Sequence, residues 1–527
     1  MTASVRFDTI IVGAGSAGAV LAARLSEDPS RSVCLIEAGD DPTPDALPPE
    51  LLLASTIDAR HERYLWHHTA RATDLRPVIA IPSGRVVGGS SAINTTVFLW
   101  ALREDLDAWA RIAGPEWRYA ACVPYFQRLE SDRDFPAPPH GRTGPVPVER
   151  PPRAAWSPAA AAYEEACLLQ GYPACPDHNR PDTNGCGPVP FNIRDGRRIS
   201  AAVAYLGPAR ARPNLAIRAR TTVRRLVVAA GRATGVEVES DGTRAVLEAD
   251  EIILSAGAIG SPHLLLLSGI GPEAELAPLG IAVVADLAGV GKNLRNHPLA
   301  ATSWRVTDRY RSAEELPIPW QVQLRCTAPG SSDRNDACLG VAVLTKRTPG
   351  DPRIGISALL MHAASAGELR LATTDPDVQP SIDLGFFEEP EDAARMRAMI
   401  GLALELGASR ALDGLRGSLA QPEAPDRASP QALDDWLRRN VLTSHHPCGT
   451  CRMGPASDRQ AVVDAAGRVH GIDGLRVVDA SIMPDCPRVN INATTMMLAE
   501  KIAGAMSGTT SLAKPLGATG GASADLA

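Results

Sequence analysis

A glycine-rich turn near the start of the chain constrains the fold more than any other feature. Residues 8–12 are short, apolar and β-branched, which is typical of a buried parallel strand. The turn Gly13-Ala14-Gly15-Ser16-Ala17-Gly18 follows at once, residues 17–27 have helical composition, and residues 33–37 form a second apolar run. The order strand, glycine turn, helix, strand predicts a βαβ unit at the beginning of an α/β fold.

The spacing of these glycines predicts a dinucleotide site. Gly13 permits the sharp turn, Gly15 lets the backbone approach a pyrophosphate, and Gly18 allows close packing of the helix on the strand. Glu37 ends the second strand, where a carboxylate can accept the hydroxyls of an adenosine ribose and would repel a 2′-phosphate. The unit therefore favours FAD or NAD over a phosphorylated nicotinamide dinucleotide. Its predicted cofactor contacts are Gly13, Gly15, Ser16, Ala17, Gly18, Glu37 and Ala38.

Length, charge and cysteine usage argue against several classes of protein. The chain has 527 residues, of which 45% are hydrophobic, and a formal net charge of −7. Its size predicts more than one lobe, and its mild acidity argues against nucleic acid or an anionic membrane as the main partner. The first residues do not resemble a secretory signal, no apolar run reaches the ~20 residues that span a bilayer, and the cysteines are scattered. We therefore expect a cytoplasmic protein without a transmembrane segment.

Patterns further along the chain predict a second structural unit. The proline-rich stretch 135–152 is typical of an extended surface segment, and residues 214–254 have the alternation and turns of an antiparallel β meander. From 298 to 440 the sequence changes character and predicts a second sheet followed by a helix. Residues 507–527 are small and polar, which is typical of a disordered tail.

Two longer segments resemble signatures of the glucose–methanol–choline (GMC) oxidoreductase family. They are Gly84-Arg85-Val86-Val87-Gly88-Gly89-Ser90-Ser91-Ala92-Ile93-Asn94 and Gly257-Ala258-Ile259-Gly260-Ser261-Pro262-His263-Leu264-Leu265-Leu266-Leu267-Ser268-Gly269-Ile270-Gly271. The resemblance implies a Rossmann-like FAD-binding domain, 1–297 and 441–506, with an inserted substrate-binding domain, 298–440, built on an antiparallel sheet. The implied fold class is α/β, with an α+β second lobe.

The resemblance also implies FAD contacts along the chain. Some family members attach FAD to a histidine in the first signature, but the corresponding position here is Ile93, so we expect FAD to be bound non-covalently. Asn94 would offer a side-chain amide near the flavin, and Asp479 would lie near the ribityl or pyrophosphate through its backbone. The implied contacts beyond the first unit are Arg85, Gly88, Gly89, Ser90, Asn94, Val97, Val223, Ala256, Gly257, Asp479, Ala480, Asn492 and Thr495.

Residues 444–454, Ser-His-His-Pro-Cys-Gly-Thr-Cys-Arg-Met-Gly, allow two interpretations. Two histidines and a Cys-x-x-Cys could form a zinc or dithiol site, but no second cysteine pair stands at zinc-finger spacing, so we predict no metal. The segment resembles instead the catalytic His-Pro-x-Gly-Thr strand of the family, with His446 in the catalytic position. Asn492 aligns with the second catalytic position, and His445 is expected to be a residue of the substrate pocket.

These residue types suit the oxidation of an alcohol. A histidine that titrates near neutral pH can take the hydroxyl proton, an amide can position the oxygen, and flavin can accept the hydride. We expect a small-molecule alcohol, primary and aryl or furanic, with oxygen or a quinone-like compound as electron acceptor. A non-redox lyase of the same family and a nucleotide-binding regulatory module are the alternatives. The paired His446 and Asn492 argue against the second, since a binding module needs neither.

Overall fold

The structure, a computed structural model, contains two large sheets. It describes residues 6–43, 46–54, 59–308, 310, 320–344 and 351–508. Nearly all of the predicted tail, 507–527, lies outside the described residues. A mainly parallel sheet with helices occupies one lobe and an antiparallel sheet the other, so the predicted fold class is confirmed.

The first sheet is built around the predicted βαβ unit. The strand Arg6–Val12 lies between Val33–Ile36 and Thr243–Leu254 and is parallel to both. The helix Ser16–Leu25 packs against these strands, and its residues 17–23 and Leu25 are buried. The unit therefore has the predicted order, with a helix that ends at Leu25.

The predicted meander over 214–254 is wrong in two respects. Leu215–Arg218 pairs in parallel with the second strand of the βαβ unit, so it extends the first sheet. Thr243–Leu254 is a single strand, which pairs antiparallel with Arg232–Ser240 at its beginning and parallel with the first strand of the chain at its end. Only Thr222–Ala229 and the two strands after it form the antiparallel part.

Two acidic residues, Glu248 and Asp250, interrupt the apolar pattern of the strand Thr243–Leu254, and both have a partner on the neighbouring strand. Glu248 and Asp250 both face Arg6 on the neighbouring strand, where Glu248 Oε2 lies 4.0 Å from the guanidinium and Asp250 forms a hydrogen bond with it. Charges at the exposed start of a parallel pair therefore interrupt the apolar pattern without ending the strand.

The second sheet is antiparallel and combines distant parts of the chain. In spatial order its strands are Arg416–Gln421, Pro298–Val306, Arg353–Leu360, Ala337–Leu344, Val322–Cys326 and Gly185–Pro188, with Leu442–Thr443 paired to the start of Pro298–Val306. Two of these strands, Gly185–Pro188 and Leu442–Thr443, come from outside the predicted limits 298–440. Those domain limits therefore stay a prediction.

The helices connect and cover the two sheets. The longer ones are Ser16–Leu25, Arg103–Ala113, Tyr119–Leu129, Pro158–Leu169, Gly257–Leu267, Pro390–Gly407, Pro430–Asn440 and Asn492–Met506, and the short ones are Pro49–Leu52, Gly207–Ala209 and Glu273–Leu276. The last helix packs against the first, and Glu500 on it accepts hydrogen bonds from Arg24 at 2.8 Å and from the Tyr205 hydroxyl at 2.6 Å. The end of the described chain is thereby held against the first helix.

Two general features bear on the expected location and chemistry. No helix in the described ranges is long and apolar enough to cross a membrane. All ten cysteines fall within these ranges, and each is buried and free.

The proline-rich stretch 135–152 runs only partly over the surface: residues 136–138 are exposed, but other parts of it are buried. His140 and Arg150 within it are buried and meet a group of carboxylates. The His140 ring lies 2.9 Å from Glu130 Oε1 and 2.8 Å from Asp177 Oδ2. Arg150 donates to the same Asp177 at 3.1 Å and to Asp132 at 3.0 Å. The stretch is therefore fastened to the interior by charge.

These side chains also include the one group in the described part of the chain with metal-ligand geometry, Glu130, Asp132 and His140. Their atoms already have partners: Trp100 Nε1 donates to Glu130 at 3.0 Å, and His140 contacts a carboxylate through each ring nitrogen. Only a doubly protonated imidazolium can donate from both nitrogens. Burial opposes that charge, but the hydrogen bonds to Asp177 and Glu130 raise the pKa of His140 to about 9.

We predict that His140→Leu destabilises the protein by about 3–5 kcal/mol at pH 7, because the variant leaves the buried carboxylate of Glu130 without its cation. Since the pKa of His140 is raised above its ordinary value of about 6.5, its contribution is complete below that pH and is lost as pH rises through about 9. Urea unfolding of both proteins at pH 7 and pH 10 tests this. An equal difference in stability at the two pH values would contradict a charged His140.

Candidate active site

A cavity of about 1260 Å³ lies between the two sheets. One wall consists of the carboxyl ends of the parallel strands and the glycine turn, where open α/β sheets bind their ligands. The other wall is one face of the second sheet, to which alternate residues of its strands contribute. These are Leu299, Ala301, Gln323, Arg325, Cys338, Ala342, Ser357 and Leu359.

Two glycine loops touch each other at the first wall. A Cβ atom at Gly89 would lie 2.6 Å from Gly15 Cα, and one at Gly18 would lie 1.9 Å from the carbonyl oxygen of Gly13. Gly13 itself has a φ of +99°, which disfavours any other residue. The close approach leaves backbone amides, including the first ones of the helix Ser16–Leu25, to face the cavity. Such amides suit a pyrophosphate.

Glu37 lies at the cavity wall and is buried. Its carboxylate accepts the backbone N–H of Ala14 at 3.0 Å and that of Gly39 at 2.9 Å. Burial raises the pKa of Glu37 to about 7, against the opposite effect of these amides. Glu37 therefore braces the glycine turn in addition to facing the place expected for the ribose.

Most of the predicted cofactor contacts line this cavity. They are Gly13, Gly15, Ser16, Ala17, Glu37, Ala38, Gly89, Ser90, Asn94, Val97, Val223, Ala256, Gly257, Asp479, Ala480, Asn492 and Thr495. Three others do not line the cavity. Gly18 packs on Gly13, Gly88 donates its N–H to the Ala14 carbonyl at 2.8 Å, and the Arg85 guanidinium stacks 4.7 Å from the centre of the Trp66 ring.

Asp479 is committed to the loops around the cavity. Its buried carboxylate accepts the N–H of Gly257 at 2.9 Å, the hydroxyl of Ser261 at 2.6 Å and the N–H of Ser481 at 2.8 Å. These three donors hold the carboxylate in place, and the predicted contact of the Asp479 backbone with FAD stays a prediction. Asp479 joins the second signature to the returning C-terminal segment.

His446 is buried at the junction of the two walls. Its Nδ1 lies 2.9 Å from Nδ1 of His297, and its Nε2 lies 3.0 Å from Nδ2 of Asn490. Its backbone N–H donates to Asn296 Oδ1 at 3.1 Å. Burial, and after it the neighbouring His297 and His445, lower the pKa of His446 well below its usual range. The imidazole is therefore neutral at neutral pH.

The two contacts define which nitrogen of His446 carries the proton. The Asn490 amide nitrogen donates, so Nε2 of His446 must accept and holds the lone pair. The proton then resides on Nδ1 and is donated to Nδ1 of His297. Burial lowers the pKa of His297 to about 4, so this partner is neutral and can accept. The arrangement presents a base at Nε2, on the side of Asn490.

The structure places Asn490, rather than the predicted Asn492, beside His446. Asn492 is the first residue of the last helix, and its Oδ1 accepts the hydroxyl of Ser16 at 2.7 Å. Its side chain therefore points toward the glycine turn, whereas Asn490 lies in the preceding loop and points toward His446. Two asparagines separated by one residue give the sequence no signal that tells them apart. His297 was also missed, because it was taken as the last residue before the second unit.

His445 lines the cavity, and its backbone φ is +63°. This left-handed conformation is uncommon for a residue with a side chain and is found often at functional sites. The two neighbouring histidines differ in burial at this turn: His446 is buried, whereas His445 is exposed. The role of His445 at the substrate stays a prediction.

The residues present fit FAD. The glycine loops form a cradle of backbone amides that a Cβ atom would fill, and Nδ2 of Asn492 is buried without a protein partner at the cavity wall. An unpaired buried donor of this kind is costly unless a ligand satisfies it. Ile93 also lines the cavity and offers no nucleophile for a covalent bond to the flavin.

We predict that Glu37→Arg sharply weakens retention of FAD, because it removes an acceptor for the ribose and the acceptor of two backbone N–H groups. Each hydrogen bond to a charged group contributes about 1.5–3 kcal/mol. Glu37→Gln, which keeps the shape and one acceptor, should have a smaller effect. FAD titration of the two apoproteins provides the measurement. Equal affinity in Glu37→Arg and wild type would show that Glu37 has been assigned wrongly.

Comparison with known proteins agrees with this geometry. Family models described as GMC oxidoreductase match residues 7–299 and 363–499. The chain is 37% identical to an uncharacterised GMC-type oxidoreductase of Rhodococcus erythropolis, over 95% of this chain and 98% of that protein. It is 36% identical to 5-(hydroxymethyl)furfural oxidase of Methylovorus sp., with coverage of 95% and 98%. Identity to oxygen-dependent choline dehydrogenase of Sinorhizobium medicae is 35%, with coverage of 96% of each.

Solved structures give the same result. Pyridoxine 4-oxidase from Mesorbium loti superimposes with a TM-score of 0.88 at 33% identity, covering 95% of this chain and 99% of that one. Formate oxidase from Aspergillus oryzae superimposes with a TM-score of 0.87 at 25% identity, covering 97% and 100%. The chain therefore belongs to the GMC oxidoreductase family, and it is an FAD-dependent enzyme that acts on the CH–OH group of its donors.

Proposed function

We propose that this enzyme oxidises a primary alcohol to the carbonyl compound, with His446 as the general base and Asn490 as the group that positions the oxygen. The observation that supports this most is the distance of 3.0 Å between His446 Nε2 and Asn490 Nδ2 in a cavity that also holds the FAD cradle. An acceptor and a donor for one oxygen atom thus stand side by side.

The two side chains divide the work on the hydroxyl group. An alcohol oxygen that binds between them replaces the direct hydrogen bond from Asn490 to His446. It gives its proton to Nε2 of His446 while it accepts a hydrogen bond from the Asn490 amide. The amide stabilises the growing negative charge without adding a charge of its own. Bound FAD supplies the acceptor for the hydride that leaves the carbinol carbon. His297 takes the Nδ1 hydrogen bond of the resulting imidazolium and so keeps its ring in place.

The second wall of the cavity suits a flat apolar substrate. Several of its side chains are small, among them Ala301, Ala342 and Ser357. The ring of Trp320 lies directly on Gly340, where a Cβ atom would be 2.2 Å from the indole. Leu299 and Leu359 complete an apolar surface beside this ring. These features favour aryl or furanic alcohols, as do the names of the furfural and pyridoxine oxidases among the relatives. His445 at the rim would contact the substrate.

The same relatives support oxygen as the electron acceptor, since two are named oxidases and a third oxygen-dependent. A quinone-like acceptor is the alternative, and aerobic turnover without hydrogen peroxide would favour it. We also propose a cytoplasmic location, supported by ten free thiols in a protein of this size.

We predict that His446→Ala slows anaerobic flavin reduction by an aryl alcohol ~10²–10⁴-fold, the usual effect of losing a positioned base. Asn490→Ala should cost ~10²–10³-fold, as expected for one donor to a developing oxyanion. Asn492→Ala is the matched control: it should lower FAD retention and leave flavin reduction in the loaded enzyme within a few-fold of wild type. Stopped-flow reduction by alcohol, with dithionite reduction as the reference, separates these outcomes.

The reverse order, with Asn492→Ala inactive and Asn490→Ala active, would contradict the assignment of Asn490. An intact wild-type flavin that no alcohol reduces would contradict the proposed oxidation and favour the non-redox lyase.

We also predict that flavin reduction does not rise between pH 7 and pH 9. Because the pKa of His446 is lowered well below its usual range, the base is already free of its proton at neutral pH. Any fall in rate on the acid side should appear below pH ~6.5, the ordinary histidine value. Stopped-flow rates across this range, with the alcohol saturating, give the profile. A rate that increases tenfold from pH 7 to pH 8 would show that the base titrates elsewhere.

A further inference from the structure

The loop 484–491 carries Asn490 to His446 and is held by charged side chains near both of its ends. It runs from the short turn Ala480–Ile482 to the last helix and has no regular structure of its own. Two residues of the loop, Asp485 and Arg488, form ion pairs with side chains outside it. Between them, Cys486 Sγ lies 3.8 Å from the carbonyl oxygen of His446. A shift of this loop would therefore move Asn490 relative to the base.

Arg488 connects the loop to both lobes. Its backbone N–H donates to Asp105 Oδ2 at 3.0 Å, and its guanidinium forms a further hydrogen bond with the same carboxylate. The guanidinium also donates to Asp333 Oδ1 at 2.6 Å. Asp105 lies on the helix Arg103–Ala113 beside the FAD lobe, whereas Asp333 lies between two strands of the second sheet.

His362 contacts both Asp485 of the loop and Asp333, the carboxylate that pairs with Arg488. One ring nitrogen, Nδ1, forms a hydrogen bond with Asp333, and the other, Nε2, lies 3.2 Å from Asp485 Oδ2. The residue follows the strand Arg353–Leu360 of the second sheet, so its ring ties the loop to the substrate lobe. Donation to two carboxylates at once requires the imidazolium, because a neutral ring has a single N–H.

Several charges surround His362. Arg488 Nη2 is 3.2 Å from its Nδ1, Arg295 Nε is 3.4 Å from Asp485, and Arg395 Nη1 is 3.6 Å from Asp333. Burial and Arg488 oppose a positive charge on the ring, but the hydrogen bonds to the two carboxylates outweigh them and raise the pKa of His362 to about 9.

Further groups complete this environment. Asp336 and Asp392 neutralise Arg395, and His297 lies on the buried side and is neutral. The imidazolium therefore closes a ring of ion pairs across the two lobes at neutral pH.

We propose that His362 is a positioning residue: its imidazolium clamps the loop 484–491 to the second sheet and thereby holds Asn490 in place against His446. The inference rests on the proposed function, because it concerns the geometry of that same pair. His362 does not line the cavity and would touch neither substrate nor FAD. Its loss should therefore act on the rate of hydride transfer and not on binding of the cofactor.

The test compares four holoenzymes by anaerobic flavin reduction between pH 6 and pH 10.5. His362→Gln should be ~10–100-fold slower than wild type at pH 7, as expected when a reacting group is misplaced by about 1 Å. In wild type the rate of flavin reduction should fall as pH rises through 9, whereas in His362→Gln this fall should be absent. Asp485→Asn should shift the fall in rate to lower pH, because the His362 imidazolium loses one of its two carboxylate partners. His470→Gln is the matched control, since that ring contacts the Gly454 carbonyl at 3.1 Å, and should match wild type.

Hydrogen–deuterium exchange of residues 484–491 gives a second measurement that does not depend on turnover. After correction for intrinsic exchange, protection should fall between pH 8 and pH 10 in wild type and should already be low in His362→Gln. The clamp would be overturned if His362→Gln had the wild-type rate and the wild-type pH dependence of flavin reduction. It would also be overturned if the exchange protection of residues 484–491 changed neither with pH nor with the substitution. A wild-type flavin that alcohols do not reduce would instead refute the proposed function, while the exchange experiment would still decide the clamp.

Discussion

The close approach of two glycine loops is the constraint on which the site depends. Gly15 and Gly89 come so near that a Cβ atom at Gly89 would lie 2.6 Å from Gly15 Cα, and a Cβ atom at Gly13 would lie 2.5 Å from the Ser255 carbonyl oxygen. Three segments of the chain thus meet backbone to backbone. Their amides, rather than side chains, form the wall of the cavity, and a wall of this kind can contact the phosphates of a dinucleotide directly.

The charges behind this wall keep the segments together. Glu37 binds two amides of the first loops, and Asp479 binds the second signature to the C-terminal segment. Each carboxylate is buried, and its hydrogen bonds come from backbone or hydroxyl donors. Neutral donors avoid placing a second buried charge beside the cofactor, whose phosphates carry negative charge of their own.

The proposed base follows a different design. His446 has an imidazole partner, His297, and no carboxylate among its described contacts, so burial keeps both rings neutral. Its orientation comes from a chain of contacts that runs through Asn490 and the loop 484–491 to the second sheet. In the proposed mechanism, catalytic geometry is therefore shared between the lobes: the first supplies the cradle, and the second aligns the groups that would act on the hydroxyl.

The sequence by itself determined the βαβ unit with its glycine turn, and it singled out Glu37 and His446, which both line the cavity. These features depend on local order: a strand, glycines at defined spacing, an acid at a strand end, and signatures of continuous residues. Only the tertiary structure decided between Asn490 and Asn492, brought His297 to His446, and showed that Leu215–Arg218 joins the parallel sheet. Each of these depends on contacts between residues far apart in the chain or on the direction of a side chain at a helix start. Local pattern carries no information about either, since the same residues could face opposite ways with equal local cost.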